Sequence, residues 1–216
     1  MSNTLKLFIA MWVLSTLALA QHESQPAAFA RSGGPDATSG ADGNDSVPAF
    51  RSLYKKSPPQ RELVDVNGII EEMLTLLKGE ANRYSVAMRT ELAADLPKIM
   101  VDRVQLQQVF MNLMLNAIEA MNDSVGELTV KSQLHDGQLQ FSVSDTGVGL
   151  PTEKMEQIFS AFFTTKPQGS GMGLAISRSI VESHGGRLWA AANDGRGATF
   201  YFTLPTQLTE SSPLVA

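Results

Sequence analysis

The stretch Asp145-Thr146-Gly147-Val148-Gly149-Leu150 decides the fold. It follows Gln138-Leu139-Gln140-Phe141-Ser142-Val143-Ser144, whose alternation predicts a half-buried strand. The strand carries a carboxylate to its own end. Two glycines then let the backbone pass close to a flat or charged group. An Asp in that place can accept a hydrogen bond from an exocyclic amine such as that of adenine. Asp-Thr-Gly also makes ordinary turns, so the sequence on either side has to arbitrate.

Just upstream, Glu127 to Gln133 reads as the partner strand of a hairpin whose turn is His135-Asp136-Gly137, with His135 a turn residue. Before it lies the longest predicted helix, from Arg103 to about Met121, with Asp102 as its N-cap. Leu106, Val109, Phe110, Leu113, Ala117 and Met121 form its apolar stripe. Gln105, Gln108, Asn112, Asn116 and Glu119 form a polar one. Asn is a mediocre helix former, so a pair at i and i+4 needs a reason. A solvated face is one. A metal–phosphate site is the other, because an Asn carbonyl suits Mg²⁺ whose remaining ligands are phosphates and water. Further upstream, Val86–Leu92 reads as a strand. Asp65 and Asn67 are candidate caps of a helix running to about Arg83.

Downstream, Pro151 to Phe159 reads as a short helix. Phe159-Ser160-Ala161-Phe162-Phe163-Thr164-Thr165-Lys166 and Gly169-Ser170-Gly171-Met172-Gly173 follow, and a helix resumes from Leu174 to Ser183. Gly171 and Gly173 stand at that helix start, where free backbone N–H groups make an anion site. The two glycine groups bracketing aromatics and a Lys read as the hinges of a lid, against the alternative of a purely structural loop. His184-Gly185-Gly186 ends the helix. His184 belongs to the last turn and its dipole, and the glycine caps it. Arg187–Ala192 and Ala198–Leu204 read as two closing strands around the turn 193–197.

The ends of the chain differ in character. Leu7 to Ala20 is an apolar run of 14 residues after Lys6, short for a membrane span and suited to a signal-peptide core. Signal peptide, membrane anchor and ordinary buried helix all stay open for it. Residues 21–48 hold Ser32-Gly33-Gly34-Pro35 and similar breakers with no period, which predicts a disordered linker. Residues 207–216 read as a frayed tail. In a chain of 216 residues, 43% hydrophobic content supports one packed domain plus extensions. A net charge of -5 without a basic patch argues against a nucleic-acid partner. The lack of cysteine excludes disulfides and thiolate metal sites and leaves the compartment open.

Taken together the motifs resemble the catalytic boxes of sensor histidine kinases. Asn112-Leu113-Met114-Leu115-Asn116-Ala117 resembles the N box, and Asp145 to Gly149 the first glycine box. Phe159 to Phe163 resembles the F box, Gly169 to Leu174 the second glycine box, and Gly195-Arg196-Gly197-Ala198-Thr199-Phe200 the last one. Order and spacing both agree across residues 61–206, most closely with two-component kinases that carry PAS sensor modules. The resemblance implies a histidine-kinase-type ATPase (Bergerat) fold: an α/β (α+β) two-layer sandwich, a mixed sheet packed on helices with an ATP lid. It implies a protein-histidine kinase using ATP and Mg²⁺. Asp145 then binds the adenine amine, with Gly147 and Gly149 giving room. Asn116 holds the metal and Asn112 supports it. Lys166 reaches a phosphate. Gly169, Gly171, Gly173 and Leu174 line the phosphates, and Thr199 lies near the adenine. In related topoisomerase and chaperone ATPases a Glu occupies the position of Asn112 and activates water, so slow hydrolysis is expected here.

The resemblance fails at the phosphoacceptor. Gln21-His22-Glu23-Ser24-Gln25-Pro26 is similar to the acceptor motif of this kinase type but one residue short, and it leads into the Gly/Ser/Pro-rich stretch. A dimerising hairpin needs two long amphipathic helices. Residues 21–60 are thus read as a linker holding a degenerate remnant of that hairpin, of which 49–60 resemble the end of its second helix. His22 is a relic acceptor, a usable one, or a coincidence, and dimerisation stays undecided. The expected partners are a histidine-bearing hairpin, in trans or the chain's own remnant, and a response regulator downstream. Export would part the ATP site from ATP, so a cytoplasmic location is expected, with residues 7–20 as a candidate inner-membrane tether. Two other readings stand beside the kinase. One is a non-enzymatic ATP-binding module that regulates a partner kinase. The other is a serine kinase of the anti-sigma-factor type.

Overall fold

The computed structural model describes residues 60–122, 125–150, 153, 155–165 and 170–206. The expectations for residues 1–20, for the linker with His22, for Lys166 and Gly169, and for the tail from 207 lie outside the described residues. In chain order the elements are β1 (Arg61–Val64), α1 (Val66–Arg83), β2 (Val86–Leu92), β3 (Ile99–Asp102), α2 (Arg103–Glu119), β4 (Gly126–His135), β5 (Gln138–Asp145), a single 3-10 turn at Gln157–Phe159, α3 (Gly173–Ser183), β6 (Arg187–Ala192) and β7 (Ala198–Pro205).

Five strands form one mixed sheet in the order β2-β4-β5-β7-β6. The β2–β4 pair is parallel and the other pairs are antiparallel. Helices pack on one face of this sheet, which is the two-layer sandwich expected from the sequence. The hairpin β4–β5 closes on Asp136 (φ 49°) and Gly137 (φ 73°), the two left-handed residues a tight hairpin turn requires. The core is sealed by Phe110 of α2 against Phe141 of β5 and Phe202 of β7, with ring centroids 5.6 and 5.2 Å from Phe110. All three rings are fully buried. Edge-to-face rings at this spacing contribute about 0.5–1.5 kcal/mol beyond their buried area.

Both long helices start where the sequence places their caps. Asp65 Oδ1 accepts the N–H groups of Asn67 and Gly68, and Asp102 Oδ1 accepts that of Gln105. Asn67 is no cap. It sits inside α1, and its amide bridges Ala93 O and Ser132 Oγ, each at 2.8 Å. Pro151 to Phe159, expected as a short helix, yields only the 3-10 turn among its described residues.

Two strands went unread. β1 and β3 pair antiparallel as a separate ribbon, with Arg61 opposite Asp102 and Val64 opposite Ile99. Each has four residues, too short to show alternation. The ribbon lies where α2 begins and α3 ends. Arg61 donates to Ser183 O at 2.7 Å, and the Asp102 N–H donates to His184 Nε2 at 3.0 Å. His184 is buried, as a structural residue of the last turn should be, and it also contacts a neighbouring element. Its Nδ1 lies 2.8 Å from Ile180 O, which fixes the ring.

Candidate functional site

Strand β5 delivers Asp145 to the sheet end with 2% exposure. Its Oδ1 accepts the Gly147 N–H at 2.8 Å. Burial pushes its carboxyl above the ordinary carboxylate value, while the backbone N–H groups of Gly147 and Ala198 pull the other way. A buried carboxylate in this state gains from any further donor that approaches it. Around it stands a tight polar group. Thr199 Oγ1 lies 2.8 Å from Ser144 Oγ and 2.7 Å from Asn193 Oδ1, and Asn193 Nδ2 donates to Asp145 O at 2.8 Å. Sequence reasoning placed Thr199 here and took Asn193 for a turn residue. Asn193 is the strut that binds the β6–β7 turn to the end of β5, and its only signal was an Asn at the head of a glycine-rich turn.

The glycines of this region serve the chain's own backbone. Gly197 has φ 94°, and a Cβ there would overlap the Asp145 carbonyl oxygen. A Cβ on Gly147 would overlap Ala120 O, the last turn of α2. Val148 N–H donates to that same oxygen at 3.1 Å, and Ala120 N–H donates to Asn116 O at 3.0 Å. The loop after Asp145 is thereby bonded to the turn that carries Asn116. Gly149 (φ 77°) passes over Gly197.

Along α2 the polar stripe is solvated at its end, where Glu119 is exposed, but not in its middle. Gln108 and Asn112 are buried, and Asn116 is half-buried. Asn112 Nδ2 donates to Ser177 Oγ of α3 at 3.0 Å, and Asn116 Nδ2 reaches Asn112 Oδ1 at 3.5 Å. Gly173 opens α3 directly over Asn112, so close that a Cβ there would overlap Asn112 Oδ1. Leu174 is half-buried and packs on the core. Gly171, at φ 68°, lies against the backbone of Phe162. The structure thus brings Asp145, Gly147, Gly149 and Thr199 together at one end. Asn112, Asn116 and Gly173 meet at the other, joined to the first through Ala120. Ser177 went unread because nothing within α3 marks a serine as facing another helix. Among the described residues, no helix is long and apolar enough to cross a membrane.

Comparison with known proteins bears on the family and the fold. Residues 101–208 match the family described as histidine kinase-, DNA gyrase B-, and HSP90-like ATPase. The sensor protein FixL of Bradyrhizobium diazoefficiens is 41% identical over 72% of this chain and 31% of its own length. Sensor histidine kinase ZraS of Escherichia coli is 35% identical over 79% of this chain and 36% of its own. The chain thus spans about a third of these relatives. The catalytic domain of histidine kinase ThkA, nucleotide-free, superposes with a TM-score of 0.61 at 34% identity, over 68% of this chain and 95% of that one. The same kinase in complex with response regulator TrrA superposes with a TM-score of 0.62 at 30% identity, over 74% of this chain and 46% of that one. A mixed five-stranded sheet packed against helices is the fold of the histidine kinase catalytic domains that superpose on it, and the chain belongs to the histidine kinase-, DNA gyrase B-, and HSP90-like ATPase family, where its relatives are sensor histidine kinases.

Proposed function

We propose that this domain binds Mg-ATP and transfers its γ-phosphate to a histidine in two-component signalling, the histidine coming from a second chain. The observation that supports the reading is the bonded path from the loop after Asp145 to the turn of Asn116, through Val148 N–H on Ala120 O and Ala120 N–H on Asn116 O, which ties a buried carboxylate to an amide pair. Asp145 accepts the adenine amine, and Thr199 borders the base. The backbone N–H groups at the start of α3 face the phosphates. Lys166 is assigned to a phosphate from its place in the sequence. The side-chain carbonyl of Asn116, supported by Asn112, is a neutral oxygen donor, which fits a magnesium ion that takes its other ligands from phosphates and water. When bound, that ion neutralises phosphate charge. The chain's own work is to hold the nucleotide in line with the attacking imidazole and to keep water out. The phosphoryl group passes from the ADP leaving group to a ring nitrogen of the histidine, and a response regulator is the onward acceptor.

The test is labelling of the whole chain with γ-phosphate-labelled ATP and Mg²⁺, with and without an added histidine hairpin from a sensor kinase, beside His22→Ala and Asp145→Asn. Acid-labile label that appears on the added hairpin and vanishes in Asp145→Asn supports transfer in trans. Label on the chain itself that vanishes in His22→Ala makes it self-sufficient. Acid-stable label would instead assign a serine kinase. Nucleotide binding without any label would leave an ATP-binding regulator. Asn112 stands where water-activating relatives carry Glu, so Asn112→Glu is expected to raise ATP hydrolysis, measured as released phosphate.

A further inference from the structure

Ser177 has no place in the reading so far, yet it begins a line of three polar side chains that ends on the proposed metal ligand. It lies on α3 with 1% exposure. Its Oγ accepts the Asn112 amide N–H at 3.0 Å. Asn112 Oδ1 in turn faces Asn116 Nδ2 at 3.5 Å, a longer and weaker contact than an ordinary N–H···O hydrogen bond. Each link sets the orientation of the next. A side-chain amide is planar, with donor and acceptor on opposite sides. Using Nδ2 on Ser177 turns the Asn112 oxygen toward Asn116. That oxygen draws in the Asn116 nitrogen and so turns the Asn116 carbonyl oxygen to the far side of its own amide.

Two neighbours show that this orientation is built by α3. Gly173, one turn before Ser177, leaves space over Asn112 Oδ1 that any side chain would close. Gln108, one turn before Asn112 on α2, is buried as well, but its Nε2 has no hydrogen-bond partner among the described residues. Burial therefore does not by itself orient an amide. The serine does.

We infer that Ser177 is a positioning residue for the phosphate end of the site: it locks the Asn112 amide and through it presents the Asn116 carbonyl oxygen, rather than the N–H, to a divalent cation. This rests on the Mg-ATP reading above. A merely structural serine would fill the α2–α3 seam and affect every ligand alike, whereas an orienting serine acts only on the metal-dependent part of nucleotide affinity.

The experiment is calorimetric titration of the whole chain with ATP, once in Mg²⁺ and once in EDTA, for the unaltered protein, Ser177→Ala, Ser177→Cys, Asn112→Ala and the double variant of Ser177→Ala with Asn112→Ala. Ser177→Ala is expected to weaken ATP by about fivefold in Mg²⁺, the size of one hydrogen bond, and by less than about twofold in EDTA. Ser177→Cys, of similar volume but a weaker acceptor, falls between. It decides the matter if the alanine variant does not fold. The double variant binds Mg-ATP no more weakly than Asn112→Ala alone, because the line is already cut. Equal losses in Mg²⁺ and EDTA, no loss at all, or full additivity would each overturn the inference. If the unaltered protein binds ATP equally well with and without Mg²⁺, the Mg-ATP reading falls first and takes the inference with it. If it is metal-dependent and Ser177→Ala is indifferent, only the inference falls.

Discussion

The two ends of the candidate site are made differently. At the Asp145 end, side chains from β5, β7 and the β6–β7 turn bond one another at 2.7–2.8 Å, and the acidic residue at their centre is 2% exposed. Between Phe159 and α3, the described backbone includes short-range turns such as Phe163 N–H to Ser160 O at 3.2 Å. Phe162 stands there 73% exposed with φ 66°. A bulky residue in the left-handed region is uncommon and costs energy. One end is fixed before any ligand arrives. At the other, Phe159 is buried under Arg178 of α3 and the backbone of Phe162 lies against Gly171.

Substitutions can break that contrast in order of size. Gly197→Ala sets a methyl group against Asp145 O at φ 94°, and it should cost roughly 3–4 kcal/mol in urea unfolding. A small loss would mean the Asp145 end yields more easily than its bonding suggests. Asp145→Asn should weaken nucleotide binding on the order of 100-fold, the value of a hydrogen bond to a charged group. Its effect on stability has the opposite sign. Burial raises the folded carboxyl above its unfolded value, so this Asp favours the folded state below the unfolded pKa and loses that contribution as pH rises through the raised folded one. At neutral pH the amide variant should therefore melt no lower than the parent. By the same linkage nucleotide affinity should fall with acidification, beginning above the ordinary carboxylate range, and a titration across pH reads this directly.

Smaller effects separate the two ends more finely. Thr199→Val strands Ser144 and Asn193 and should cost about 1 kcal/mol in unfolding, with nucleotide affinity reduced by a few-fold. Phe162→Gly removes the left-handed strain but loosens the unfolded chain, so its net effect on stability should stay within about 0.5 kcal/mol. A large destabilisation there would show that the lid end is fastened through Phe162 after all.

Most of this contrast was legible in the sequence, and the gaps have causes. Alternation located β5 and, more weakly, β2, the Asp136-Gly137 turn located β4, β6 and β7 were read as closing strands around a glycine-rich turn, and the caps Asp65 and Asp102 marked both long helices. Periodicity speaks only when an element is long enough to repeat, so four-residue β1 and β3 escaped. It also cannot tell a polar stripe in water from one against another helix, which is why Gln108 and Asn112 suited a solvated face until α3 was seen beside them. Thr199 was found through a motif. Ser177 and Asn193 became functional candidates only through partners 65 and 48 residues away. Local sequence carries no record of such pairings.

The ribbon of β1 and β3 bears on where the domain can be cut. Arg61 is the register partner of Asp102, the cap of the helix that carries both asparagines, and it also holds the last turn of α3. A boundary drawn a few residues after Arg61 would look harmless on the page, since it spares every glycine and asparagine of the cleft. It would remove the clasp that joins the start of α2 to the end of α3. The N-terminal edge of the domain is therefore part of its working frame.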